Sequence, residues 1–128
     1  MSSKILVVDD DPVMLKIYSR VFSGQGYIVA YANSAATAAT LLKANHYDLL
    51  VTDLKLGDGL GTELTRLFAG KSAGAKSLLV SGSLGEVDGL DLSAVSECLS
   101  KPLDIDRFME TIAKVLDSPL VRPAGHKP

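Results

Sequence analysis

Residues 5–12 read Ile5-Leu6-Val7-Val8-Asp9-Asp10-Asp11-Pro12. The first four are a continuous apolar run, the pattern of a strand buried on both faces rather than one with a wet side. Asp11-Pro12 then supplies a helix start: a capping residue, followed by proline at the first helical position, where a missing N–H costs nothing. Val13, Met14, Ile17, Tyr18, Val21 and Phe22 recur at helical spacing and give that helix one apolar stripe. Gly24 and Gly26 end it. The unit is therefore a buried strand, an acidic turn and a helix.

The unit repeats down the chain. Ile28–Tyr31 reads as a second strand, and Ser34 caps an alanine-rich helix running through Leu41 and Leu42 towards Asn45. Leu49, Leu50 and Val51 form a third strand that ends at Asp53. A loop, Gly57-Asp58-Gly59-Leu60-Gly61, leads into a helix carrying Leu64, Leu67 and Phe68. Leu78–Val80 is a fourth strand ending at Ser81-Gly82, and Cys98-Leu99 a fifth, before Lys101-Pro102. Asp104 caps a last helix with Ile105, Phe108, Met109, Ile112, Val115 and Leu116 on one face. Between Ser83 and Ser96, Gly85 and Gly89 each weaken a helix by about 1 kcal/mol relative to alanine, so the fourth helix is expected to be short or irregular. Strands alternating with helical segments in this way predict an α/β fold, a doubly wound parallel sheet covered on both faces. One domain is expected over residues 1–117, with 118–128, which hold three prolines and no periodicity, as a flexible tail or linker.

Composition agrees. A chain of 128 residues with 47% hydrophobic and 22% charged residues suits one globular domain. Its formal net charge of -2 argues against nucleic acid as a partner of this domain. The single cysteine, Cys98, excludes an internal disulfide and a multi-cysteine zinc site. No apolar run approaches the roughly 20 residues of a membrane span or forms a secretory signal. The expectation is a soluble, cytoplasmic domain with no membrane contact.

Four polar clusters follow the apolar strands: Asp9-Asp10-Asp11, Asp53, Ser81-Gly82 and Lys101-Pro102. In a doubly wound sheet the carboxyl ends of the strands share one edge, and ligands bind there. Two carboxylates about 4 Å apart repel by roughly 4 kcal/mol at an effective dielectric of 20. Lys101 can offset one such charge, so the rest must protonate, separate or hold a cation. The donors are all oxygens, which favours magnesium, or manganese, over zinc. An aspartate can act as a nucleophile and form an acyl phosphate, with the Ser81 hydroxyl, Lys101 and the backbone near Gly82 taking the phosphoryl oxygens. Asp11 reads as a cap rather than a ligand, Asp58 as a turn residue and Cys98 as a small hydrophobe. His46 and His126 carry no assigned chemistry.

On Ile5-Leu6-Val7-Val8-Asp9-Asp10-Asp11, Tyr47-Asp48-Leu49-Leu50-Val51-Thr52-Asp53-Leu54, Leu79-Val80-Ser81-Gly82 and Leu99-Ser100-Lys101-Pro102, the chain resembles the receiver domains of two-component response regulators, from Lys4 to Leu116. The resemblance implies a flavodoxin-like sheet of strand order 2-1-3-4-5. It implies that Asp53 is the phosphoacceptor in a magnesium-dependent reaction, supplied by a histidine kinase or a histidine phosphotransfer protein. Asp10 and Asp53 would bind the metal directly with the Lys55 carbonyl, and Asp9 mostly through water. Ser81 and Lys101 would contact the phosphoryl group, with a cis bond between Lys101 and Pro102. Lys55 and Ser83 occupy the positions that tune dephosphorylation, and a lysine at 55 is expected to slow it. An unidentified downstream protein would read the conformational change.

Three features depart from the family. Gly57 stands where proline is usual, Ser81–Lys101 is about two residues short, and Cys98 replaces the aromatic residue that usually couples to the hydroxyl residue as a switch. Cys98 and the weakened fourth helix support an alternative, a pseudo-receiver that binds partners without switching, which the intact acid cluster, Ser81 and Lys101 oppose. An enzyme reading, a haloacid-dehalogenase-like phosphatase on Asp9-x-Asp11-x-Val13, would need an acidic pair on a strand after Lys101. Asp104 and Asp106 are instead expected to start a helix.

Overall fold

In the computed structural model, which describes residues 2–82 and 84–121, β1 spans Lys4–Val8 and its four apolar residues are buried. The period of two along a strand divides them between the two faces. Ile5 and Val7 pack with Tyr18, Phe22, Phe108, Ile112 and Val115, on α1 (Pro12–Phe22) and α4 (Ile105–Val121). Leu6 and Val8 pack with Ala38, Leu42, Leu64 and Phe68, on α2 (Ala35–Ala44) and α3 (Gly61–Lys71). A strand that feeds two cores must be apolar throughout, which is why this run carries no alternation. The first core closes on an aromatic group, with Phe108 centred 5.5 Å from Tyr18 and 5.8 Å from Phe22.

β1 pairs in parallel with β2 (Ile28–Ala32) on one side and β3 (Leu49–Asp53) on the other. β3 pairs with β4 (Lys76–Ser81), and β4 with β5 (Glu97–Ser100). The sheet is five-stranded with order β2-β1-β3-β4-β5, the flavodoxin-like arrangement. The capping residues read from sequence hold: Asp11 accepts the Val13 N–H at 2.9 Å, Ser34 that of Thr37 at 3.1 Å and Asp104 that of Arg107 at 3.1 Å.

Three local features sharpen the expectation. The loop after Asp53 is a tight hairpin, with Lys55–Leu56 paired to Gly59–Leu60 around Gly57-Asp58. The crossover between β4 and β5 holds, among the described residues, no α-helix but one 3-10 turn, Leu84–Val87, which is the short, irregular fourth helix expected. Gly89 just beyond it takes φ +80°, outside helical geometry, so the glycines that weaken a helix here also redirect the chain. Finally, α4 runs to Val121, past residue 117, so the first part of the segment expected as a tail is helical. Residues 122–128 lie outside the described residues.

Candidate functional site

Strand register assembles the crevice. Val8 lies opposite Thr52, Asp53 opposite Val80 and Ser81 opposite Ser100, so Asp9, Asp53, Ser81 and Lys101 all emerge at the carboxyl edge of the sheet. Asp9 is fully buried. Its Oδ1 accepts the Asp11 N–H at 2.9 Å, while its Oδ2 is buried with no hydrogen-bond partner. Lys101 Nζ stands 3.7 Å from that Asp9 Oδ2 and 3.3 Å from Asp53 Oδ2. Asp10 is exposed, and its Oδ2 accepts the Gly57 N–H at 2.9 Å. A proline at 57 would have no such donor.

Burial is the main influence on both inner acids. It pushes the Asp9 carboxyl up, against the pull of the Asp11 N–H and of Lys101. It also pushes Asp53 up, against Lys101. Tyr18 below them is shifted up by burial and then by the charges of Asp9 and Asp53. Oxygens of Asp9, Asp10 and Asp53 lie within 4.8 Å of one another. A buried carboxylate oxygen without a donor, beside two more acids and only one ammonium, fits a small divalent cation bound through oxygen. The cis Lys101–Pro102 bond expected from the resemblance is present.

The other expected residues fall around this group. Ser81 is buried at the end of β4, and its carbonyl accepts the Lys101 N–H at 2.8 Å. The Gly82 N–H donates to Glu86 Oε1 at 3.0 Å. Lys55 lies in the hairpin, and its ammonium is 3.0 Å from Glu86 Oε2. Ser83 lies outside the described residues. Cys98 sits half-buried opposite Leu79, and burial raises its thiol pKa. Beside it, between β5 and the start of α4, is a hollow of about 280 Å³ that reaches Leu103 and Arg107.

Sequence reading missed four participants. Asp58 is a turn residue, but its carboxylate also accepts the N–H groups of Ala35 at 2.8 Å and Ala36 at 3.0 Å, capping α2 from a distant loop. Gly61 packs so tightly that a Cβ there would overlap the Asp53 carbonyl oxygen and come within 3.0 Å of the Thr52 side chain. Gly57 and Glu86 are the others. The glycine-flanked position of Asp58 pointed to a turn, and Gly57 stood out as a departure from the usual proline; Gly61 and Glu86 offered no signal.

Comparison with known proteins agrees with this architecture. AlgB, the alginate biosynthesis transcriptional regulatory protein of Pseudomonas putida, is 32% identical over 117 residues, covering 89% of this chain and 26% of AlgB. The chain thus spans about a quarter of the length of such curated relatives. A CheY-like receiver domain from Methanospirillum hungatei superposes with a TM-score of 0.84 at 30% identity, covering 92% of this chain and 96% of that one. The response regulator TrrA of Thermotoga maritima, solved in complex with Mg(2+)-BeF, gives a TM-score of 0.82 at 25% identity, over 90% and 99% of the two chains. A family model described as the response regulator receiver domain matches residues 5–113, and the chain belongs to that family.

Proposed function

We propose that Asp53 accepts a phosphoryl group from a phosphohistidine of a histidine kinase or a histidine phosphotransfer protein. The observation that carries this is the charge pattern: Asp53 Oδ2 lies 3.3 Å from Lys101 Nζ, within an acidic trio whose innermost oxygen has no donor. In the transfer, an Asp53 carboxylate oxygen bonds to phosphorus, the P–N bond to the donor imidazole breaks, and its electron pair stays on nitrogen. Lys101 offsets charge on the transferred group, and the Ser81 hydroxyl and Gly82 N–H donate to its oxygens.

Asp9, Asp10 and Asp53, with the Lys55 carbonyl, would hold magnesium, or manganese in its place. When bound, the ion neutralises the acids and polarises the phosphoryl group. The Mg(2+)-BeF complex of TrrA supports that chemistry for a similar fold. Ser81 acts as the mobile hydroxyl of the switch, with Cys98 in place of its aromatic partner, and Lys55 and Ser83 govern the lifetime of the phosphorylated form. Signalling, rather than turnover of a substrate, is the activity, and the target is a protein. No described helix is long and apolar enough to cross a membrane, which is compatible with a cytoplasmic site of action.

A pseudo-receiver is the second reading, favoured by Cys98 and by a fourth helix reduced to a 3-10 turn. The phosphatase reading loses its acidic pair, because Asp104 caps α4 and Asp106 lies in its first turn. Acetyl phosphate with magnesium, followed by intact mass, separates these. A gain of one phosphoryl group that Asp53→Asn abolishes supports the acceptor. No gain on the wild-type chain favours the pseudo-receiver.

A further inference from the structure

Glu86 bridges two groups that flank the proposed phosphoryl site. Its Oε1 accepts the Gly82 N–H at 3.0 Å, and Gly82 directly follows Ser81. Its Oε2 is 3.0 Å from the ammonium of Lys55, two residues after Asp53. The carboxylate reaches both from the 3-10 turn Leu84–Val87, the element that stands in for a helix between β4 and β5. The approach is close: a Cβ on Gly82 would lie 3.2 Å from Glu86 Oε1. Glycine at 82 therefore leaves the room that this contact uses.

A carboxylate oxygen and a phosphoryl oxygen are alike to these groups. Both are anionic acceptors that take charge-assisted hydrogen bonds from backbone N–H and ammonium donors. One N–H cannot serve both in good geometry, and two anions held side by side repel. We infer that Glu86 is a built-in competitor for the phosphoryl group. It holds the Gly82 N–H and Lys55 in the unmodified chain and is displaced when the group on Asp53 takes them. This rests on the acceptor reading of Asp53.

The consequence is a route for the signal. Displacing Glu86 removes two ties between the crevice and the 3-10 turn, so the state of Asp53 reaches the β4–β5 crossover through a carboxylate. No aromatic residue at position 98 is required. The interaction also places Lys55 in a contest, since the same ammonium that would shield a phosphoryl group is held by Glu86 before the group arrives.

The test uses the nitrogen-15-labelled full chain, titrated with beryllium fluoride and magnesium as the phosphoryl mimic, and follows the Gly82 amide resonance. Glu86→Ala is expected to bind the mimic roughly two- to tenfold more tightly, the fold-change of one hydrogen bond no longer displaced. In the free protein its Gly82 amide should move away from the wild-type position, and in the complexes the two should converge. Glu86→Gln keeps an acceptor for Gly82 and loses the ion pair, so it should fall between them. That variant carries the test should Glu86→Ala fail to fold. Equal or weaker binding by the variants, or a Gly82 amide indifferent to position 86, overturns the competitor. If no chain binds the mimic although the Gly82 amide responds to substitution, the acceptor reading is what fails, and the competition falls with it.

Discussion

Neutralising Asp9 should make the metal-free protein more stable. Asp9 is fully buried, and its Oδ2 is without a hydrogen-bond partner. At an effective dielectric of 20, Lys101 Nζ at 3.7 Å attracts this charge by about 4.5 kcal/mol. The Asp53 oxygen, no more than 4.8 Å away, repels it by at least about 3.5 kcal/mol. Asp10 adds repulsion that its exposure screens. The Coulomb effects nearly cancel, which leaves the desolvation of a carboxylate, several kcal/mol per ion, largely uncompensated. Asparagine keeps Oδ1 as the acceptor for the Asp11 N–H, removes the buried charge, and leaves Lys101 paired with Asp53. Asp9→Asn is therefore expected to gain about 1–3 kcal/mol, or roughly 4–12 °C in melting midpoint for a domain of this size. The measurement is thermal unfolding by circular dichroism at pH 7 in EDTA, repeated with magnesium chloride. Burial raises the carboxyl pKa of both Asp9 and Asp53, so the folded chain keeps protons that the unfolded chain has released. The contribution of these two groups is then fully present below the ordinary carboxyl value near 3.9 and is lost as pH rises through the raised ones, and Asp9→Asn should flatten that loss. Magnesium should stabilise the wild type, by about 2.7 kcal/mol at a hundredfold excess over its dissociation constant, and the variant less. A lower melting midpoint for Asp9→Asn in EDTA at pH 7 would refute the reasoning, since the buried charge would then be stabilising.

Three further outcomes follow from single contacts. Asp58→Ala should lower the melting midpoint by a few degrees and speed amide exchange at the start of α2, as loss of a helix cap does. The Ala35 and Ala36 N–H groups hold the Asp58 carboxyl below its ordinary value, so this loss should be full above that value and vanish as pH falls through the lowered one. Gly61→Ala should cost about 1–3 kcal/mol by overpacking against the Asp53 carbonyl, read by denaturant unfolding, and should slow phosphoryl uptake; an unchanged unfolding midpoint would show that α3 moves aside freely. Lys55→Ala should shorten the lifetime of the phosphorylated form by up to about fivefold, the scale of one exposed ion pair, and an equal lifetime removes Lys55 from shielding.

What could be read in advance, and what could not, divides along physical lines. The apolar run Ile5–Val8 announced a strand between two cores, and parallel register then placed residues at the ends of different strands side by side. Asp9, Asp53, Ser81 and Lys101 were legible because each ends or directly follows a strand whose hydrophobicity is itself legible. The loops offer no such rule. Gly57 meets Asp10 across 47 residues and Asp58 meets Ala35 across 23, through side chains or N–H groups whose partners no local pattern specifies. The fourth crossover lies between these cases: Gly85 and Gly89 announced that a helix would be weak, but not that one 3-10 turn would carry Glu86 back to Gly82. The departures from the family pattern lie at Gly57, at Cys98 and in the shortened crossover. Gly57 supplies the N–H that a proline would lack, Cys98 lines a hollow beside β5, and the shortened crossover brings a carboxylate to the crevice. Taken one at a time they look like losses from a switch. Taken together they leave the proposed acceptor group intact and change what surrounds it, so, on that proposal, the difference between this receiver and its relatives should lie in how the presence of a phosphoryl group on Asp53 is transmitted.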